Sequence, residues 1–246
     1  MKIVVSKANF GGRNSVKWHN LFEKDPRGEV GYYYFTDQSM SSEPVHELRE
    51  RGVSVAEINF NNCIIDHPLG NLEYQKRRQA KLYKIMPDLF VGGADYYIWM
   101  DAYFEMAMNP IDIITNSGFD KSDSHIAFFK HSSRDCLFDE MDLIKDISYD
   151  SSSSLDLQRM FYQNPNFQYP KNNGLYECTC FIMKNTFESK LIRMEWLNHM
   201  NRFSSRDQVS LPFVLTQLNQ EPHILEGKIL PGKPGDNPYF SSSGNN

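Results

Sequence analysis

Asp101 closes the run YYIWM (96–100), and Ala102, Tyr103 and Phe104 add more bulk behind it. A carboxylate at the carboxyl end of a buried strand has a rigid support, at the place where open α/β sheets bind ligands. It suits a divalent cation that neutralises a diphosphate. The alternative is that Asp101 merely turns the chain after the strand, and composition does not choose between the two. A second carboxylate stands in FSSRDQVSL (203–211), where Ser204, Ser205 and Arg206 precede Asp207 and Gln208. A helix beginning there keeps Asp207 ionised through its dipole. An ionised carboxylate beside a reacting carbon acts as general base on an acceptor hydroxyl in an inverting transfer. In a retaining reaction it would instead hold the acceptor or stabilise an oxocarbenium-like centre. Plain N-terminal capping is the competing reading.

HSSRDCLFDE (131–140) sets His131 and Arg134 three residues apart, ahead of Glu140. Arg134 can grip a carboxylate or phosphate with two parallel hydrogen bonds, and His131 can donate to a sugar hydroxyl or phosphate. Glu140 would orient Arg134, or the trio is only a helix cap with an internal ion pair. In YYYFTDQ (32–38), Thr36 and Asp37 offer a hydroxyl and a carboxylate to a planar base, with Phe35 or Tyr34 placed to stack on it. An ordinary strand end explains Asp37 as well. KANFGGRN (7–14) fits a first βα loop in which Gly11 and Gly12 let backbone amides approach a ligand. Lys76, Arg77, Arg78, Lys81 and Lys84 form one basic helix face. Most such faces are only solvated, but Arg78 and Lys81 are the candidates for contact with an anionic leaving group.

These residues need a sizeable scaffold, and 246 residues suffice for one large α/β domain or two small ones. The formal charge of −5, with 26 basic and 31 acidic residues, argues against a general polyanion binder, so nucleic acid is not an expected partner. No apolar stretch is long enough for a signal core or a transmembrane segment. The four cysteines have no CxxC spacing. Cys178 and Cys180, two apart, are expected on one face of a strand. A cytoplasmic setting is the expectation, for this chain alone or as part of a larger protein.

Short β-rich runs at 2–6, 30–36, 53–60, 96–100 and 125–129 alternate with polar or helical stretches. Residues 72–86 carry a helical stripe that Pro87 closes. Helices are expected at 134–147, 155–163, 187–201 and 206–218, a strand at 176–184 and a long surface loop at 164–174. The pattern predicts an α/β fold with a mostly parallel central sheet and helices on both faces. It would be a single domain over 1–235, divided into a Rossmann-like nucleotide-binding half (1–105) and an acceptor half (106–235). Residues 236–246, rich in Ser, Gly and Asn, are expected to be a disordered tail.

YYYFTDQ, RRQAKLYKIMPDLF (77–90), YYIWMDAYF, HSSRDCLFDE and FSSRDQVSL follow one another in an order that resembles the glycosyltransferase-like family typified by plant turgor-regulation and mucilage-polysaccharide proteins. That resemblance implies a GT-A-like architecture, a nucleoside-diphosphate sugar donor, a glycan acceptor and Mn²⁺ or Mg²⁺ as cofactor. It places the nucleotide at Phe35, Thr36, Asp37, Arg78, Lys81 and Asp101. The acceptor falls to His131, Arg134, Glu140 and Arg206, and catalysis to Asp207 and Gln208. The usual GT-A signature is Asp, any residue, Asp, but Tyr103 stands where the second aspartate belongs. His223 resembles the C-terminal histidine that completes the metal site in several GT-A families, and is the expected partner of Asp101, with Glu105 a weaker one. Tyr103, Phe104, Tyr169 and Trp196 are candidates to stack on a sugar. Two other readings stay open: a glycoside hydrolase working through Asp101 and Asp207, and a non-catalytic carbohydrate- or nucleotide-binding module.

Overall fold

The structure is a computed structural model describing residues 1–11, 21–22, 25–58, 72–167, 169–229 and 236–242, without the side chains of 72–76. Gly12, the side chain of Lys76 and the last residues of the expected 53–60 strand lie outside the described residues. The elements run β1 (Lys2–Asn9), β2 (Glu29–Thr36), α1 (Glu43–Glu50), β3 (Ser54–Glu57), α2 (Leu72–Ile85), β4 (Tyr96–Met100), β5 (Phe104–Met106), α3 (Pro110–Asn116) and β6 (Ile126–Lys130). Then follow α4 (Leu137–Asp146), α5 (Ser152–Tyr162), β7 (Tyr176–Lys184), α6 (Phe187–Arg202), α7 (Asp207–Gln217), β8 (His223–Ile224) and β9 (Phe240–Ser242).

One seven-stranded sheet takes the order β3-β2-β1-β4-β7-β6-β8. Its pairings are parallel except those of β7, which runs antiparallel to both β4 and β6. The inner strands are apolar along their length because both faces are covered. One face packs Ile3, Val5 and Ile98 against α3, β5 and β9; the other packs Val4, Tyr97 and Trp99 against α2, α6 and α7. A third cluster joins α4, α5 and α7 through Leu137, Leu155 and Phe213.

Since β7 is reversed, its first residues lie at the carboxyl ends of its neighbours: Lys130 faces Tyr176, and the Asp101 amide donates to the Thr179 carbonyl at 2.8 Å. Between Ala127 and Phe129 the register slips, so Ala127 faces Ile182 while Phe129 faces Glu177. Such a bulge re-aims side chains beside a site. It also defeats simple alternation: Cys178 and Cys180, expected on one face, join opposite core clusters.

The α2 helix ends where Pro87 begins a 3₁₀ turn over Pro87–Leu89. Arg193, fully buried on α6, donates to the freed Ile85 carbonyl at 3.1 Å and pairs with Asp88. That tie fixes the end of α2 against α6. The 164–174 segment is bound down rather than free, since Phe167 and Tyr169 pack on Phe213 and Asn173 Nδ2 donates to Thr216 Oγ1 at 2.7 Å. The expected disordered tail is corrected over its described part: Phe240–Ser242 pairs with β5, with Tyr239 and Phe240 buried. Two large aromatic rings have enough apolar surface to hold that segment on the core.

Candidate functional site

Lys81 and Lys84 sit three residues apart, so one turn of α2 presents both ammonium groups in one direction. Their common partner is Asp207, the first residue of α7, whose Oδ2 lies 2.5 Å from Lys81 Nζ and 2.8 Å from Lys84 Nζ. Lys84 Nζ also reaches Asp101 Oδ1 at 3.2 Å, and the Trp99 indole donates to that same oxygen at 2.8 Å. Two carboxylates from the end of β4 and the start of α7 are thus tied by one ammonium. Asp207 is nearly sealed from solvent, whereas the Asp101 side chain keeps 31% of its surface.

The electrostatics follow from this packing. Burial raises the Asp207 carboxyl, but Lys81, Lys84 and Arg206 outweigh it and hold the group well below the usual carboxylate range. Burial lowers the Lys84 ammonium, yet Asp101 and Asp207 more than reverse that and leave it above an ordinary lysine. Lys81 is pushed down to about 8, chiefly by burial, with Asp207 opposing. The Lys84 ammonium therefore stays charged at neutral pH.

These groups border a cavity of about 510 Å³, closed on its other sides by Tyr103, His131, Arg134, Glu177, Arg206 and Gln208. Arg134 pairs with Glu140 at 2.7 Å, which fixes its guanidinium. The amides of Ser133 and Arg134 donate to His131 Nδ1 at 3.3 and 3.1 Å. Gln208 is held between Arg206, which donates to its Oε1 at 3.1 Å, and Glu177, which accepts from its Nε2 at 3.0 Å. Arg206 stacks on the Tyr149 ring at 4.5 Å, and Arg77 covers that ring at 4.8 Å. Glu177 is buried, and its carboxyl is pushed up to about 7 by desolvation, aided by Glu140 and opposed by the Ser132 amide. It is the carboxyl on this wall that can exchange a proton near neutrality.

The turn before α7 hangs from a single buried carboxylate. Asp150 Oδ2 accepts from Ser204 Oγ at 2.8 Å, Ser205 N at 2.7 Å and Ser205 Oγ at 2.8 Å. Arg206 is the N-cap of α7 and makes no side-chain cap bond, so the capping reading of Asp207 and its serines does not hold. The serines anchor the loop, and Asp207 is left to face the lysines.

The structure brings Lys81, Asp101, His131, Arg134, Glu140, Arg206, Asp207 and Gln208 together around one cavity. Four other expected positions lie elsewhere. Arg78 is buried, with its guanidinium on the carbonyls of Met200 and Phe203, so it caps the end of α6 rather than touching a nucleotide. The Phe35 ring is enclosed by Tyr83 and Phe90 at centroid distances of 4.9 and 5.7 Å. Thr36 is fully buried, its Oγ1 accepting from Gln38 N at 3.1 Å. Asp37 accepts from the Gly11 amide at 2.9 and 3.0 Å, tying the first βα loop to β2. Of the aromatic candidates, Tyr103 is half exposed on the cavity, while Phe104 and Trp196 are core residues and Tyr169 packs on Phe213.

The expected metal partner of Asp101 is corrected as well. His223 lies on the edge strand β8, three strands from β4, which is roughly 14 Å at the usual strand spacing. Its Nε2 lies 2.8 Å from the Ser117 carbonyl, and its ring packs on Phe119. Glu105 is buried beside Lys7, 3.9 Å away, and is likewise committed. Among the described residues no three His, Cys, Asp or Glu side chains converge as a metal site. A divalent ion on Asp101 would have to share that carboxylate with the Lys84 ammonium, a like charge 3.2 Å from Oδ1. Among the described residues Asp101 has no second carboxylate or imidazole of a metal cluster beside it.

Lys84, Glu177 and Asp150 were not singled out. Lys84 carried a signal, its i, i+3 spacing from Lys81 on the basic face. Glu177 and Asp150 carried none, because a reversed strand and a buried loop contact expose them to their roles.

The mostly parallel sheet with β7 reversed and helices on its faces is a GT-A-like α/β fold. Mouse xyloside xylosyltransferase 1 in its apo form shares that fold, with a TM-score of 0.50 and 7% identity over 92% of this chain and 86% of that one. The mannosyltransferase Ktr4p from S. cerevisiae is a looser likeness, with a TM-score of 0.45 and 11% identity over 87% of this chain and 65% of that one. Residues 1–226 match the TOD1/MUCI70 glycosyltransferase-like domain, and the chain belongs to that family. The probable hexosyltransferase MUCI70 of Arabidopsis thaliana is 26% identical over 220 residues, 86% of this chain. The chain spans 37% of that relative's length.

Proposed function

We propose that this chain transfers a sugar, a hexose or a close relative, from a nucleoside-diphosphate donor to a hydroxyl of a carbohydrate acceptor. The observation that carries the reading is the pair of ammonium groups, Lys81 and Lys84, held by Asp207 and Asp101 at the carboxyl end of β4. In such a transfer the bond from the anomeric carbon to the phosphate oxygen breaks, its electron pair stays on the diphosphate, and fixed positive charge lowers the barrier. The acceptor oxygen forms the new bond and releases its proton. Asp207 is a poor base for that proton, because the two lysines consume its charge; its role is to position them. Glu177 is the group suited to receive it, with His131 and Gln208 lining the acceptor side and Tyr103 offering a ring to a sugar face. The reading is supported by membership of a glycosyltransferase-like family.

A hydrolase built on Asp101 and Asp207 is disfavoured, since one ammonium bridges both groups and neither is arranged to donate a proton to a leaving group. The test is to incubate the chain with UDP- and GDP-linked sugars and a panel of oligosaccharides, following nucleoside diphosphate release and product mass. Acceptor-dependent release with a mass gain of one sugar unit is expected. Shortened oligosaccharides without any donor would establish the hydrolase, and binding without turnover would establish a carbohydrate- or nucleotide-binding module.

A further inference from the structure

We propose that Lys81 and Lys84 form a resident cationic subsite for the diphosphate, so that the cavity binds a nucleoside diphosphate without a divalent ion. The inference rests on the sugar-transfer reading above and states how the donor would be held.

At the end of β4, Tyr103 stands two residues beyond Asp101 and supplies no second carboxylate there. Asp101 Oδ1 already takes two donors, the Trp99 indole and the Lys84 ammonium. An ammonium and an indole N–H therefore already occupy one of the two Asp101 oxygens. The ammonium is fixed there from three sides: Asp207 holds it at 2.8 Å, and the faces of Trp99 and Phe181 lie 5.5 and 5.7 Å away. Cation–π contacts of this kind keep a buried ammonium charged and in place.

The balance of charge points the same way. Lys81, Lys84 and Arg206 surround Asp207, and Asp101 is the remaining anion of this group. The cluster keeps a surplus positive charge at the carboxyl end of β4, which a bound anion would complete. Each ammonium has three donors. Asp207 takes one from Lys81, and Asp207 with Asp101 takes two from Lys84, so donors remain on both.

Two further atoms on the wall are unfinished. Thr179 Oγ1 and Arg206 Nε are buried and have no hydrogen-bond partner. Thr179 follows Cys178 on the reversed strand, lines the cavity, and its carbonyl accepts from the Asp101 amide. Arg206 is locked in its plane by Tyr149. A buried polar atom without a partner is costly unless a ligand supplies one. Phosphate oxygens would satisfy a hydroxyl donor, a guanidinium N–H and the spare ammonium donors together.

Calorimetric titration of the whole chain with UDP, GDP and inorganic pyrophosphate, each in excess EDTA and then with added Mn²⁺, tests this. At least one nucleoside diphosphate is expected to bind in EDTA, with Mn²⁺ changing its Kd by less than about threefold. Lys84→Met should weaken that binding by more than tenfold, whereas Lys84→Arg should keep it within about fivefold. Should Lys84→Met fail to fold, Lys84→Met combined with Asp101→Asn removes the ammonium with its carboxylate and must show the same loss. Binding seen only with Mn²⁺ would overturn the inference and leave the sugar-transfer reading standing. Binding in EDTA that Lys84→Met does not weaken would overturn it too. No binding of any nucleotide under either condition would overturn both.

Discussion

Replacing Asp150 with alanine should loosen the site from a distance. Asp150 is buried, and its Oδ2 takes the donors of Ser204 and Ser205 while Oδ1 takes the Ser151 amide at 2.7 Å. A hydrogen bond to a charged group is worth ~1.5–3 kcal/mol, but bonds that share one oxygen do not add. Alanine leaves two hydroxyls and two amides stranded, and several buried donors without a partner cost ~3 kcal/mol or more together. At ~2–4 °C per kcal/mol for a chain of this size, Tm should fall by roughly 10 °C. The turn Ser204–Arg206 would then no longer fix the start of α7. Asp207 would drift from Lys81 and Lys84, and nucleoside diphosphate affinity should drop by about tenfold. Asp150→Asn keeps one acceptor oxygen and should lose about half as much. Differential scanning fluorimetry and calorimetric titration read the two effects. A Tm within about 3 °C of the parent, together with unchanged affinity, would refute the reasoning that this carboxylate suspends the catalytic turn.

Asp207→Asn removes the shared partner of two buried ammonium groups, so Tm should fall by about 10 °C and nucleotide affinity by at least tenfold; retained affinity would show that the lysines need no anchor. Glu177 rises from an unfolded value near 4.5 to about 7. It favours the folded state fully at low pH, and that contribution is lost as pH climbs to about 7. Glu177→Gln should therefore gain roughly 3 kcal/mol on the parent between pH 4.5 and pH 8, read as a Tm difference that widens with pH and levels off above about 7. Arg78→Lys cannot cover both the Met200 and Phe203 carbonyls, so chemical denaturation should show a loss of ~1–3 kcal/mol while nucleotide affinity of the folded protein is unchanged. His223→Ala should leave nucleotide affinity unaltered with or without Mn²⁺, and a metal-dependent loss would return His223 to the site.

The strands from 2–6 to 96–100 were readable because both faces of a parallel sheet are covered and the apolar runs are continuous. Asp101, Arg134 and Asp207 were readable for a related reason: each falls where a strand ends or a helix is about to begin. Three things escaped that logic. Glu177 opens a strand rather than closing one, and only the antiparallel course of β7 carries it to the cavity. Asp150 lies in a serine-rich loop, where nothing local reveals a partner more than fifty residues away. Arg78 and Lys81 share one basic stretch, yet the turn of the helix sends the first into the α6 end and the second into the cavity. His223 failed because a motif position was carried over without its place in the sheet, and β8 turned out to be an edge strand.

The position of a bound diphosphate is the most direct test of the cationic subsite. A crystal structure of the chain with the tightest nucleoside diphosphate, grown in EDTA, should place phosphate oxygens within hydrogen-bond distance of Lys81 Nζ and Lys84 Nζ, beside Thr179 and Arg206. A diphosphate lodged away from both lysines, or one that appears only with a metal ion on Asp101, would contradict it.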